Sequence, residues 1–481
     1  MMMLAGGVLA LCGCPGEPPK KADGKKPLPS VQKTEWKQEG AEPRGVEEVT
    51  IKTGKPVAFA VAASTNRDPA VAARTAVSDA VEKLGVPPKG LIFFENFPKT
   101  LTATATDEQG GQQQEREVPG VDHEREMLAA LREAADKTPM IGCRARPLVD
   151  GGAEPADTVA VLAVGGDHVQ CHVASVELAG DRKAVGTALA APLDEMDDLK
   201  LVVVLSEKGI AYDAGSGTAA SDFVRGVLET AGKDVVLFGG GAMPDDGANA
   251  PGSVQFCGGK ALEGHVVAMG IGGPIGVRAA SAHEFTPAEK TLEVTKSEGC
   301  WVVELDGLPA ATVYREIRGM EPDDEFTSNW QHPIGLLAGP EAVCPRMVVA
   351  EDRARGALRF VAPIPEGTKV KVLFGGGDAG AILDSAGRAV SESLEKADDA
   401  TPLVVLAADS FARSRRLREF RPADEGQLEQ VIASAMGEHG DTPIFGFCAC
   451  GALGPVAGEL RGLNCAYHQH TFLSIVLIKE R

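Results

Sequence analysis

The apolar positions of the chain recur with two periods, which predicts strands and helices in alternation. Short β-branched runs, Val57–Ala62, Leu91–Phe97 and Val202–Leu205, are typical of buried strands. Between the first two runs, small apolar residues share one helical face from the cap Asp68 to the terminating Gly85. Strands that alternate with helices, interspersed with hairpins, predict an α/β fold with mixed parallel and antiparallel sheets layered with helices.

Other segments of the first half give local predictions. Thr100–Gly120 contains few apolar residues, which predicts an exposed insertion. The runs Asp157–Val164 and His168–Leu178 flank the turn residues 165–167, and this arrangement predicts two paired antiparallel strands. A helical pattern over Ala219–Thr230 then leads to a glycine-rich segment.

The second half continues the same alternation of strands and helices. Its predicted elements in chain order are a helix from Pro309, paired strands Arg346–Glu351 and Leu358–Ala362, a strand Lys369–Phe374, a helix Ala379–Lys396, a strand Pro402–Ala407, a helix Glu425–Met436, and strands Pro443–Cys448 and Thr471–Ile478. Leu373–Gly377 echoes Leu237–Gly241, but the likeness ends there, so we interpret it as coincidence and not as a repeat.

The glycine-rich segment places Gly239, Gly240 and Gly241 directly after a short apolar run, with the carboxylates Asp245 and Asp246 close behind. Because glycine lacks a Cβ, positive φ costs little and the backbone can approach a ligand or a neighbouring strand. We therefore expect a special turn here. Its aspartates suit an amine or a metal ion, or alternatively cap backbone amides in a purely structural turn. A phosphate cradle is disfavoured, because the segment lacks the Lys-Ser/Thr of a P-loop.

A second candidate cluster lies near the C-terminus and comprises Cys448, Cys450, Tyr467, His468 and His470. Residues two apart on a strand share a face, so the cysteines could point together and so could the histidines. Such a set can bind zinc, but it lacks the C-x-x-C spacing of common structural sites. Cysteines on strands also serve as small core residues. We therefore predict no metal and no other cofactor.

The remaining nucleophiles do not predict catalysis. Ser64, Ser206 and Ser410 lack the glycine context of a nucleophile elbow, and no histidine is tied to them by sequence. Ten cysteines over this length are too few for a disulfide scaffold, although one or two bridges remain open in an exported protein. We predict no catalytic residues.

The first residues resemble a bacterial lipoprotein signal. Residues 1–14 are apolar and end in Leu-Cys-Gly-Cys, which places Cys14 as the lipidated residue. Residues 15–54 are rich in Pro, Lys, Glu and Gly, a composition typical of a flexible tether. The expectation is a lipid-anchored protein of the cell envelope, outside the cytoplasm.

Composition narrows the classes of partner. The 481 residues carry a formal net charge of −20, which disfavours nucleic acid and anionic lipid, because both attract a positive field. No apolar run approaches the ~20 residues that span a bilayer. The lipid on Cys14 is therefore the only membrane attachment that we expect.

The order of these segments resembles the FIST domain family. A strand that enters a Gly-Gly-x-Ala-x-Asp-Asp-Gly-type turn, followed by a hairpin, resembles the core of its N-terminal domain. Gly446–Gly451 resembles the family's Gly-aromatic stretch, with Ala452 in place of a glutamate. Tyr467–Thr471 resembles its aromatic-His-Asn-x-Thr run, with Gln469 at the Asn position.

The resemblance implies a FIST N-terminal domain over residues 55–308 and a FIST C-terminal domain over 309–481, which together form one module. It implies a non-enzymatic sensor that binds a small, amino-acid-like ligand near Gly239–Asp246 and Cys448–Thr471. Signalling would then need a separate, unidentified partner protein. Two alternatives stay open: a metal-dependent hydrolase that uses the acidic turn or the Cys/His cluster, and a structural interaction protein with a decayed pocket.

Overall fold

A computed structural model of the protein describes most of the chain from residue 55 onward. The described residues are 55–97, 100–105, 114–119, 121–207, 219–242, 254–321, 324, 332–337, 343–360, 363–375, 378–420, 425–455, 466–468 and 471–480. Residues 53–481 form one compact unit. The predicted signal, the lipidation site Cys14 and the tether lie outside the described residues, and so do Asp245, Asp246 and His470.

The described residues form eight α-helices and a short 3-10 helix, Gly437–His439. The α-helices are α1 Pro69–Leu84, α2 Val121–Ala135, α3 Arg182–Asp194, α4 Ala219–Ala231, α5 Ala310–Arg318, α6 Ala379–Glu395, α7 Phe411–Phe420 and α8 Glu425–Met436. None of them combines the length and apolarity needed to cross a bilayer.

Strands of the same residues form three large sheets and one separate hairpin. Up to the middle of the chain they are β1 Ala58–Thr65, β2 Pro88–Glu95, β3 Thr100–Ala105, β4 Gln114–Pro119, β5 Met140–Arg144, β6 Pro147–Val149, β7 Gly152–Ala153, β8 Thr158–Gly165, β9 Gln170–Glu177, β10 Leu199–Ser206, β11 Val236–Ala242, β12 Gln255–Cys257, β13 Lys260–Leu262, β14 His265–Gly272 and β15 Ile275–Ala282.

The later strands are β16 Thr286–Pro287, β17 Leu292–Glu298, β18 Trp301–Leu305, β19 Leu308–Pro309, β20 Ile334–Leu337, β21 Val343–Arg346, β22 Val348–Asp352, β23 Ala357–Phe360, β24 Lys369–Phe374, β25 Pro402–Ser410, β26 Ile444–Gly454, β27 Ala466–His468 and β28 Phe472–Lys479.

The first sheet has the order β1-β8-β2-β5-β12-β13, with β2 and β5 parallel and the other pairs antiparallel. Helices α1 and α2 cover one of its faces. Asp68 caps α1 by accepting hydrogen bonds from the Ala70 and Val71 amides, and Gly85 ends the helix in the left-handed conformation. The apolar residues Met127, Leu128 and Leu131 of α2 are buried.

The central sheet has the order β15-β28-β25-β26-β11-β10-β14-β9, with β6, β7 and β27 attached beside this path. The order of parallel and antiparallel junctions along this path is the same from either end. The parallel pair β10–β11 lies on one side and the parallel pair β25–β26 on the other, and every other junction of the path is antiparallel. Both halves of the chain therefore build one sheet, and they meet where β11 pairs with β26 and again where β15 pairs with β28.

A third, wholly antiparallel sheet has the order β21-β20-β24-β17-β18-β23-β22 and packs around α5. One face of the central sheet packs on the first sheet through a shared core. Helices α3 and α4 cover one half of its opposite face, and α6 and α8 cover the other half. The predicted α/β fold with mixed sheets and layered helices is confirmed.

One local prediction, the pairing of the two strands around residues 165–167, is wrong. The strands β8 and β9 follow one another around the expected turn, but β8 pairs with β1 and β2 in the first sheet, whereas β9 pairs with β14 in the central sheet. β8 is buried throughout and lies between β1 and β2 inside the first sheet. The chain therefore passes from the first sheet to the central sheet at this turn. The predicted insertion at 100–120 contains the hairpin β3–β4.

Helices α3 and α7 have no counterpart among the sequence-based predictions. The echo between residues 237–241 and 373–377 is coincidence, because β11 lies in the central sheet and β24 in the third.

Candidate functional site

The central sheet contains a break beside β26. Two strands pair in succession along one edge of β26. The last pair with β25 joins Ser410 to Ala449, and the pairing with β27 begins where His468 lies opposite Ala452. Cys450 and Gly451 of β26 lie opposite the gap between β25 and β27. We call this place the sheet break; it brings the two sequence-predicted candidate segments together.

The opposite edge of β26 carries the glycine segment on β11. Gly240 pairs with Ala452 and Ala242 with Ala449, so two residue steps on β11 face three on β26. This mismatch is a β-bulge at Cys450 and Gly451, and Gly451 takes the positive φ of 79° that glycine adopts in one common class of bulge. A bulge redirects side chains, which is why bulges occur beside binding sites.

The three glycines form the end of a strand, so the prediction of a turn at Gly239–Gly241 is wrong. The predicted positive φ is present: Gly239 has φ of 139° and Gly240 of 152°. A Cβ on Gly239 would overlap the carbonyl oxygen of Val204 on β10, and one on Gly240 would overlap that of Gly451 on β26. The glycines therefore let three backbones approach closely at the break.

Beneath the break, the space between the two sheets is filled by aromatic rings. Phe94 at the end of β2 stacks on Phe445 and Phe447 of β26, with ring centroids 4.9 and 4.6 Å apart. Phe238 of β11 meets Phe447 edge to face. These contacts fix the β11–β26 junction against the first sheet.

On the other face, α7 begins immediately after β25 and buries an arginine. Arg413 Nη1 donates to Asp409 Oδ1 at 2.6 Å, and both residues are at most 1% exposed. Arg413 also donates to Ser385 Oγ and to the Ile382 carbonyl of α6, while Ser414 Oγ donates to Asp409 Oδ2. Every group of this network has a partner, so it anchors α7 and α6 at the end of β25.

A second buried ion pair lies next to the first. Arg416 Nη1 of α7 donates to Glu284 Oε1 at 2.9 Å, and its guanidinium lies over the ring of Phe285. Burial raises the pKa of Glu284, while Arg413 and Arg416 oppose that shift. Sequence reasoning missed this pair, and only the charge pattern of residues 413–418 could have indicated it.

Cys448 faces this network. Its thiol lies 3.8 Å from Ser414 Oγ, to which it donates. Burial and the neighbouring Asp409 raise the pKa of Cys448 to about 12. A raised pKa makes the thiol a weaker nucleophile at neutral pH, because the thiolate is the reactive form.

The remaining predicted site residues are placed only in part. Cys450 is half-buried in the bulge. Tyr467 and His468 lie on β27 beside β26, but their side chains are outside the described part. Within that part, no group of three His, Cys, Asp or Glu residues could hold a metal ion. Its seven cysteines form no disulfide with one another.

A surface groove of about 660 Å³ lies away from the sheet break. It is lined by residues at the amino ends of β2 and β5, including Pro88, Lys89, Lys137 and Pro139. The sheet break lies beyond the carboxyl end of β2, where Phe94 packs, so the groove is a separate feature.

Comparison with known proteins gives two family matches and two relatives. The FIST N domain model matches residues 118–308 and the FIST C domain model matches residues 310–455. Two uncharacterized proteins of Mycobacterium tuberculosis, from strains CDC 1551 / Oshkosh and ATCC 25618 / H37Rv, are each 27% identical over 202 residues. That match covers 39% of this chain and 50% of each relative, so it spans about half of their length.

The glycines of β11 give a first testable prediction. We expect Gly239→Ala to lower the free energy of unfolding by about 1–3 kcal/mol, because the new Cβ meets the β10 backbone. The melting temperature should fall by several degrees. The matched control is Gly426→Ala on α8, where no heavy atom lies within 4 Å of the added Cβ. Equal melting temperatures for the two variants would contradict the close approach.

The Asp409–Arg413 pair gives a second prediction. Asp409→Asn leaves a buried guanidinium without its counter-charge and should cost about 3–5 kcal/mol of stability in a denaturant titration. The additional change Arg413→Met should recover part of that loss. The control is Glu229→Gln in the exposed pair with Lys183, which should change stability by less than about 1 kcal/mol. A loss no larger than that of the control would show that the buried pair is not an anchor.

Proposed function

This chain belongs to the FIST family, and from that premise we propose that it is a small-ligand sensor whose ligand binds at the sheet break. FIST domains are sensory domains that have been suggested to bind small ligands. The observation that carries the proposal is the meeting of the two candidate segments. Gly239–Ala242 from the first half and Ala449–Leu453 from the second pair directly.

A ligand at this place would contact both halves of the module. The N-terminal half, residues 55–308, contributes β11, and the C-terminal half, residues 309–481, contributes β25, β26 and β27. Binding across a shared junction couples the two halves, because a ligand shifts a conformational equilibrium by its different affinity for each state. Such coupling is what a sensor needs to pass a signal to a partner protein.

We propose an amino-acid-like ligand. Asp245 and Asp246 follow the end of β11 by three and four residues and would provide the counter-charge for an ammonium group. His468 is the last residue of β27 and His470 follows two residues later. Both would contribute polar contacts to the ligand. The family resemblance and the acidic pair support this choice.

The proposed role is binding without catalysis. The sensory character of the family favours it. The high pKa of Cys448 makes that thiol a poor nucleophile, and the Asp409 carboxylate is engaged by Arg413 and Ser414. Neither the metal-dependent hydrolase nor the structural interaction protein has a specific observation in its favour.

We also propose that the sensor is lipid-anchored through Cys14, outside the cytoplasm, with residues 15–54 as its tether. The apolar start that ends in Leu-Cys-Gly-Cys and the Pro- and Lys-rich segment after it support this location.

The proposed ligand class is tested by melting the full chain in the presence of each standard L-amino acid. A ligand of the folded state raises the melting temperature by mass action. Asp245→Asn and Asp246→Asn should reduce that shift while leaving the unliganded melting temperature nearly unchanged. If the Asp variants melt early yet bind normally, the aspartates serve architecture and not the ligand.

The histidines distinguish binding from metal chemistry in the same assay. Replacing His468 and His470 by Gln should weaken the shift, and metal analysis should find no change in bound zinc. One equivalent of zinc in the parent and none in the variant would favour the hydrolase.

The anchor is tested by Cys14→Ser. This change removes the thiol that would carry the lipid, so labelling with a radioactive fatty acid should disappear and the protein should leave the membrane fraction. Membrane partitioning equal to that of the parent would contradict the lipoprotein hypothesis.

A further inference from the structure

The two sheets that share the aromatic core have three long outer strands. β15 and β9 lie at the two ends of the path of the central sheet, and β1 lies at one end of the first sheet. Each of these strands is eight residues long. An outer strand presents a row of backbone amides and carbonyls with which another chain can pair, and natural proteins protect such rows.

The outer edge of β15 is protected by two cationic side chains. The register of its ladder with β28 directs the odd-numbered carbonyls of β15 away from that strand. The Val277 carbonyl accepts a hydrogen bond from Arg278 Nη1 at 3.1 Å, and the Ala279 carbonyl accepts one from Lys396 Nζ at 2.8 Å. These carbonyls are therefore occupied, and the charges beside them disfavour an added strand.

The outer edge of β1 has the same kind of protection. Its ladder with β8 directs the odd-numbered carbonyls outward, and the Val61 carbonyl accepts a hydrogen bond from Lys83 Nζ of α1 at 3.1 Å. Two of the three long outer strands thus carry a cation on an outward carbonyl.

The outer edge of β9 differs from both. The Leu178 amide donates to the Gly264 carbonyl at 2.7 Å, which continues the β9–β14 ladder and directs the odd-numbered residues of β9 outward. Among the hydrogen bonds of the described residues, none uses the outward amides and carbonyls of Cys171, Val173 and Ser175. The strand contains no Lys, Arg or Pro, and its register with β14 has no bulge. It therefore lacks the usual protections of an edge.

Two copies of β9 can pair with each other antiparallel about a two-fold axis, the symmetry of most homodimers. Hydrogen bonds form only in registers that place outward residues opposite one another, which here are odd-numbered residues. Two such registers keep nearly the whole strand paired. One places Val173 opposite its own copy, and the other places Val173 opposite Ser175 of the second copy.

The second of these registers also brings opposite charges together. It places Glu177 of one copy opposite Cys171 of the other, beside Lys89. Cys171 and Lys89 line the same groove; burial raises the pKa of Cys171 to about 12, and the nearby Lys89 opposes that shift. Residues 171 and 177 lie on the strand face that packs towards the first sheet, to which Lys89 belongs. The two-fold axis makes this contact twice.

We propose that β9 is a dimerisation edge, at which a second copy of this chain adds its own β9 antiparallel and the two central sheets become one. The contact between Glu177 and Lys89 of the two copies selects the register. The strands β14 and β10 separate this edge from β11 at the sheet break, so the dimer does not depend on the ligand assigned there.

The test is sedimentation velocity on the full chain carrying Cys14→Ser, which excludes association through a lipid. This parent should sediment as a dimer. Ser175→Pro should make it monomeric, because proline removes an outward amide and leaves the ladder with β14 intact. The matched control is Ser281→Pro, which removes an outward amide from the protected strand β15 and should leave the dimer unchanged.

Charge exchange tests the register. Glu177→Lys and Lys89→Glu should each weaken the dimer about tenfold at low salt, since each reverses one charge in two symmetric exposed pairs. The combined variant restores opposite charges and should recover the affinity of the parent. A structural role of either residue would not produce this recovery.

Ser175→Lys provides a second way to block the edge without proline. The Ser175 side chain is exposed, and the substitution places two like charges near the axis, so this variant should also be monomeric and melt near the parent temperature. A parent that is monomeric at every protein concentration would overturn the inference. So would a dimer that persists in folded Ser175→Lys, because the interface would then lie elsewhere.

Discussion

The pairing of β11 with β26 is the interaction on which the rest of the structure depends. On the path of the central sheet, as far as the structure describes it, the two halves meet here and again at the outer pairing of β15 with β28. The close backbone approach at Gly239 and Gly240 requires residues without a Cβ. The bulge at Cys450 and Gly451 absorbs the mismatch between the two strands. The aromatic stack of Phe94 then fixes this junction to the first sheet.

Much of the fold could be predicted from the sequence because the strong signals are local. The capped helix α1 and the long apolar strands follow directly from periodicity and end signals. Helix α7 was missed for a physical reason. Its inward positions include the arginines Arg413 and Arg416, which pair with Asp409 and Glu284, so the helix lacks a continuous apolar stripe. Helix α3 was missed because Pro192 and small residues weaken its pattern. The sheet that a strand joins depends on distant segments. The turn residues between β8 and β9 therefore could not show that these two strands join different sheets.

The candidate site was predictable only as two separate segments. The sequence indicated that Gly239–Gly241 permit close approach and that Cys448–Cys450 belong to a strand, but register alone brings them together. The ion pair of Arg416 with Glu284 joins residues 132 positions apart, and no spacing rule connects them.

The position of β28 has a consequence for biosynthesis. This strand, Phe472–Lys479, lies between β15 of the first half and β25 of the second. During translation, β15 therefore emerges nearly two hundred residues before the strand that completes its ladder. The backbone edge of β15 must stay unpaired, or be shielded, until residues 472–479 have been synthesised, since loop closure over that distance precedes any gain in pairing. The central sheet thus closes late, and a nascent chain released before β28 would expose the edges of two strands that invite pairing with other molecules.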